Sequence, residues 1–231
     1  MKVIEFLNDN LIVPILLLPF ILFIFLNLKD IIYFVGLVYM IIVGIIILTI
    51  LINILKTRYN KHLIVKQINN NTNCSTTAII IANMDWWDVH NWWLSPYNYD
   101  FKTFFKYLDL KEDKYSVFTN LTLKQFDSII KNPQYKNLYL FGHGLKHAFD
   151  LDKNIRVYYC RYSDKNIVKD FVAQYHCNHK GGQSLADYIV PNKKKRKNCD
   201  ISDTSTIVCC INTKIKRMYK ELKKQKYKEN K

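Results

Sequence analysis

From Ile31 to Leu55 the chain runs for 25 residues with one strongly polar side chain, Asn53. About 20 apolar residues span the hydrocarbon core of a bilayer, so a run this long is read as a membrane helix. An earlier apolar run, from Leu11 to Leu28, is broken only by Pro14, Pro19 and Asn27. Pro14 falls near its start, where a helix tolerates proline, and Pro19 predicts a kink of the kind membrane helices accept. Only Lys29 and Asp30 separate the two runs. So short a connection predicts a transmembrane helical hairpin with both ends on one side. Lys56, Arg58, Lys61 and Lys66 follow the second run, and basic flanks of this kind are retained in the cytoplasm. Both termini and the soluble part are therefore expected in the cytoplasm, which makes this a multi-pass membrane protein. No small-x-small site follows the apolar stretch, as a cleaved signal peptide would require.

The rest of the 231 residues suffices for one soluble domain. Lys and Arg number 34 against 19 Asp and Glu, a net charge of +15. Residues 192–231 hold 14 basic and 4 acidic side chains, so this tail alone carries +10. A charge confined to the tail, with no RNA- or DNA-binding motif beside it, argues against nucleic acid as a partner. The run Lys193-Lys194-Lys195-Arg196-Lys197 is expected to touch anionic lipid near the anchor or to form a solvated loop. The six cysteines (Cys74, Cys160, Cys177, Cys199, Cys209 and Cys210) include no Cys-x-x-Cys pair. They are read as reduced thiols, and a zinc ribbon is not expected.

Four segments follow from these patterns: a membrane anchor over 1–56, a polar linker over 57–73, an α/β domain over 74–212, and a basic helix or tail over 213–231. Within the domain, the short unbroken apolar run Thr77-Ala78-Ile79-Ile80-Ile81-Ala82 reads as a fully buried strand. Phe101 to Leu108 has the spacing of an amphipathic helix. Lys114 to Thr119 reads as a second strand. Thr122 can cap a helix through Ile130, which Asn132-Pro133 stops. Further strands are expected at 137–141, 155–162, 170–176 and 205–211, with a helix from Leu185 to Val190 opened by Gly181-Gly182 and Ser184. Strands alternating with helices predict an α/β fold with a mainly parallel sheet flanked by helices.

Two of these strands end on reactive residues. Asn137-Leu138-Tyr139-Leu140-Phe141 runs into Gly142-His143-Gly144, and Asp170-Phe171-Val172-Ala173-Gln174-Tyr175-His176 runs into Cys177. Neighbouring parallel strands would bring His143 and Cys177 to one carboxyl edge, where open α/β sheets place their sites. A thiol within reach of an imidazole is an activated nucleophile.

This order of elements resembles the caspase-haemoglobinase fold of the clan CD cysteine peptidases. That family sets one apolar strand before a His-Gly pair and another before the catalytic Cys. Leu138-Tyr139-Leu140-Phe141-Gly142-His143-Gly144 and Phe171 through Cys177 are the matching pieces, with Ile79-Ile80-Ile81-Ala82-Asn83 as the first core strand. The excursion at 155–162 is similar as well. The sequence departs from the family in having His176 directly before Cys177 and Ala173-Gln174 further upstream. The resemblance implies that Cys177 is the nucleophile, that His143 is its base, and that the Gly144 and Cys177 backbone amides bind the oxyanion. It implies acyl transfer, most simply peptide hydrolysis, on a peptide or protein substrate and with no cofactor.

Other readings stand beside this one. The same fold could serve as a membrane-tethered interaction protein without activity, with His143 in a Gly-rich turn and Cys177 a structural thiol. His143, His147, Cys177 and His179, with His176 nearby, could also gather round a metal, although Cys-x-His is an unusual zinc spacing. Asp85 and Asp88, just after the first strand, could line the site and bind a cationic substrate group, or simply cap a helix.

Overall fold

The computed structural model describes residues 28–71, 74–82, 99–152, 154–163, 165–179, 181–201 and 208–229. It divides into two units, residues 1–54 and 55–231. A single helix, α1 (Leu28–Asn69), is 42 residues long and is long and apolar enough to cross a membrane. Its apolar side chains stand exposed, Met40 at 69% and Tyr33 at 71%. This corrects the expected hairpin. Lys29 and Asp30, expected as its turn, lie inside α1. Neither residue breaks a helix, and the pair contains no Gly, Pro or Asn to favour a turn. One apolar helix is described, so a multi-pass arrangement is not supported; the run from Leu11 to Asn27 lies outside the described residues.

The stretch expected as a linker also turns out helical, since α1 continues to Asn69. Its last turns belong to the second unit. Ile64 is buried there, and the Asn60 side-chain amide donates to the Tyr99 carbonyl at 3.0 Å. Polarity alone does not end a helix when one face finds a core.

The second unit is an α/β domain. Its strands are β1 (Thr77–Ile81), β2 (Tyr115–Phe118), β3 (Asn137–Phe141), β4 (His143–Leu145), β5 (Ala148–Asp152), β6 (Ile155–Tyr158), β7 (Phe171–Tyr175) and β8 (Asp200–Ile201). Five of them form a parallel sheet in the order β2-β1-β3-β7-β8. Between β3 and β7 the chain leaves the sheet and builds a separate antiparallel sheet, β4-β5-β6. The helices are α2 (Phe101–Leu110), α3 (Leu123–Lys131), α4 (Leu185–Ile189), α5 (Lys193–Lys197) and α6 (Val208–Glu229).

Side chains alternate between the faces of a strand, and here both faces are covered. Ile80, Leu138, Leu140 and Val172 point to a layer with Phe126, Ile130, Leu185, Ile189, Phe149 and Tyr159. Ile79, Ile81, Tyr139, Phe141 and Tyr175 point to the other, with Phe101, Phe104, Leu108, Ile211 and Ile215. Phe101, Phe104, Phe105 and Leu108 of α2 are buried. Their i, i+3, i+4, i+7 spacing puts them on one helix face. Thr122 caps α3 through a full capping box with Gln125, as its position before the helix predicts. At α4 the Asp187 carboxylate accepts from the Ser184 N–H at 2.7 Å and from its hydroxyl at 2.8 Å.

Three local expectations are revised. The fifth sheet strand is Asp200–Ile201, whereas residues 208–211 of the apolar run belong to α6. Ile211 and Ile215, four residues apart, bury one face of α6, so helical spacing overrides the local strand-like composition. The basic run at 193–197 forms the short helix α5 rather than a loop, capped by the Asn192 side chain on the Lys194 and Lys195 N–H groups. Residues 159–162 form a 3-10 turn after β6 rather than continuing as a strand.

Candidate functional site

β3 and β7 are neighbours and parallel, with Phe141 opposite Tyr175. Each chain then continues two residues, to His143 and to Cys177. Paired parallel strands lie about 4.8 Å apart, so the two chains leave the sheet from neighbouring positions at its carboxyl edge. His143 and Cys177 are both half-buried. Gly142 makes the first exit possible, because a Cβ there would stand 2.6 Å from the Ala82 Cβ. Beyond it, His143 and Gly144 begin β4, opposite Asp150 and Phe149.

A buried phenol fastens the two exits together. The Tyr99 hydroxyl lies 2.7 Å from the Tyr175 carbonyl and 3.2 Å from the Gly142 carbonyl, donating across both. The Gly142 N–H donates to the same Tyr175 carbonyl at 3.3 Å. Burial, and next the nearby Cys177, raise the Tyr99 pKa, so the hydroxyl keeps its proton and remains a donor.

Below the edge lies a buried polar network. The Gln174 side-chain amide donates to the Lys146 carbonyl at 3.2 Å and to Asn178 Oδ1 at 3.0 Å, and its oxygen accepts from the Leu185 N–H at 2.8 Å. The Asn178 amide returns a bond to the Gln174 carbonyl at 3.0 Å. His176 is 0% exposed. Its Nδ1 is 2.9 Å from the Cys177 carbonyl, and its Nε2 is 3.1 Å from the Tyr159 hydroxyl. A carbonyl only accepts, so Nδ1 carries the hydrogen and Nε2 accepts from Tyr159. Burial lowers the His176 pKa to about 4, and burial raises that of Tyr159. The imidazole is therefore neutral and the phenol protonated across the physiological range.

The expected residues divide as follows. His143, Gly144 and Cys177 come to one edge. His147 occupies the turn between β4 and β5, with Nδ1 3.1 Å from the Gly181 carbonyl and its ring stacked on Tyr158. Nδ1 of His179 is buried without a hydrogen-bond partner among the described residues. Among the described residues no three His, Cys, Asp or Glu side chains converge as a metal site. Asp85 and Asp88 lie outside the described residues. Sequence reasoning gave no role to Tyr99, Tyr159, Gln174 or Asn178 and placed His176 only beside a possible metal cluster. A signal was available for two of them: Gln174 and His176 are polar residues at alternate positions of an otherwise apolar buried strand, and such groups need partners.

Comparison of the chain with protein-family models, with curated proteins and with solved structures found no match to any of them.

Proposed function

We propose that this chain is a membrane-anchored, caspase-like cysteine hydrolase in which His143 and Cys177 form the catalytic dyad. One observation carries the reading: the β3–β7 register pairs Phe141 with Tyr175, so both reactive residues stand two positions beyond a paired end. The strand order β2-β1-β3-β7-β8, with an antiparallel excursion between the His strand and the Cys strand, supports the same reading. The Cys177 thiol gives its proton to His143 and attacks the acyl carbon. The tetrahedral oxyanion is held by the Gly144 and Cys177 backbone amides. The C–N bond breaks as His143 hands the proton to the leaving amine. Water, deprotonated by His143, then attacks the thioester and releases the acid and the thiol.

The basic residues Lys56, Arg58, Lys61 and Lys66 favour a cytoplasmic position for the domain. The basic faces of α5 and α6 suit anionic lipid. The alternative is an inactive tethered interaction protein. Alkylation by iodoacetamide decides between them. Cys177 reacts faster than the other five cysteines at neutral pH, and His143→Ala slows it, if the dyad operates. Equal reactivity of all six leaves the interaction protein.

A further inference from the structure

We infer that His176 is the positioning residue of the oxyanion site: its buried imidazole joins the Cys177 peptide to the Gly144 backbone and sets the directions of both amide donors. The inference rests on the dyad reading above. The bond from Nδ1 to the Cys177 carbonyl, at 2.9 Å, closes a ring through the His176–Cys177 peptide. The Cys177 N–H belongs to that peptide, so the closed ring restricts where it points. The same ring edge supports Gly144. A Cβ on Gly144 would stand 3.0 Å from His176 Nδ1, 3.2 Å from Cε1 and 2.3 Å from the Ala148 carbonyl. The Gly144 backbone thus rests directly on the imidazole, and only glycine allows that approach.

The remaining contacts hold the ring still. Tyr159 engages Nε2 at 3.1 Å, and the Phe149 ring packs on the imidazole with centroids 5.5 Å apart. Both come from the excursion between β3 and β7, which gives that excursion a role in the site. The Gln174–Asn178 bonds fix the turn on the other side of Cys177. With both nitrogens occupied, His176 is not available as the base, although it adjoins the nucleophile. That separates it from His143. A preorganised donor pair lowers the barrier only where an oxyanion develops.

Two reactions of the full chain in lipid nanodiscs test this. Alkylation of Cys177 by iodoacetamide forms a C–S bond and expels iodide without an oxyanion. Acylation by p-nitrophenyl acetate forms a tetrahedral oxyanion before p-nitrophenolate leaves. His176→Phe keeps the ring and removes the donor. It should leave the alkylation rate and its pH profile within about twofold while lowering acylation about 100-fold. His176→Asn, whose amide can reach the Nδ1 position, should recover acylation to within about tenfold. Tyr159→Phe should lower acylation about threefold to tenfold with alkylation unchanged, and it carries the test if His176→Phe does not fold. Equal loss of both reactions, loss of neither, or an Asn variant no better than the Phe variant overturns the positioning role while the dyad stands. A Cys177 in the unaltered chain that is no more reactive than the other cysteines overturns the dyad and this inference with it.

Discussion

Neutral His176 makes folding depend on pH in a definite direction. Its folded pKa is about 4 because burial disfavours the imidazolium, against roughly 6.5 in an unfolded chain. Between those values the unfolded chain binds the extra proton and the folded chain does not. Stability therefore rises with pH across this window. The contribution is complete above about pH 6.5 and is lost as pH falls through 4, roughly 3 kcal/mol in all. The denaturant midpoint, measured from pH 4 to 7, should climb more steeply for the unaltered chain than for His176→Phe. Parallel slopes would show that His176 takes up its proton without penalty. Tyr99 gives a second expectation at this scale. Its hydroxyl is shared by the Tyr175 and Gly142 carbonyls, so Tyr99→Phe leaves buried acceptors short of a donor. The expected cost is about 1–3 kcal/mol, read as a lowered midpoint in urea unfolding. An unchanged midpoint would mean that water or the backbone replaces the phenol.

At the scale of elements, Gln174 ties β7 to two neighbours. One is the turn after β4, through the Lys146 carbonyl, and the other is the start of α4, through the Leu185 N–H. Gln174→Leu keeps the size and removes every one of these bonds. It should cost about 2–4 kcal/mol. Hydrogen exchange at Leu185 and Ala186 should accelerate by more than the global loss of stability explains. Uniform acceleration across the domain would show that Gln174 has no local role at α4. The strands β1, β3 and β7 were legible because each is a short apolar run buried on both faces. Helix α3 was legible because Thr122 and Gln125 state its start in sequence. The carboxyl edge was legible for the same reason as the strands, since it needs only their ends. What escaped depends on tertiary partners. Ile211 reads as strand until Ile215 shares its buried face with Phe101 and Phe104. Residues 57–69 read as linker until Asn60 and Ile64 find the core. Tyr99 carries no local sign of its role, because the two carbonyls it meets lie 43 and 76 residues away in sequence.

For the whole molecule, the decisive fact is a charge and an apolar helix in one chain. Residues 31–55, as a helix, are roughly 37 Å long at 1.5 Å per residue, enough to cross a hydrocarbon core of about 30 Å. On the proposed membrane anchoring, the domain meets lipid headgroups at high local concentration. The outer face of α6 suits them. Lys220, Lys223, Lys224 and Tyr227 share one side of the helix, opposite the buried Ile211 and Ile215, and Tyr227 is 65% exposed. Tyrosine among lysines is at home where water meets lipid. Other cations of the basic region are already engaged, Lys214 with Asp200, Lys216 with Asp100, Lys226 with Glu112 and Lys195 with Asp170, so the set proposed to meet lipid is narrower than the charge count suggests. Each lysine near an anionic surface contributes about 1 kcal/mol. In nanodiscs containing phosphatidylserine, acetylation of Lys220, Lys223 and Lys224 by an amine-reactive ester should be about fivefold slower than in neutral nanodiscs. The difference should vanish near 0.5 M salt, where the screening length falls to roughly 4 Å. Equal labelling in the two lipids would reduce this face to a solvated helix surface and overturn its proposed lipid contact.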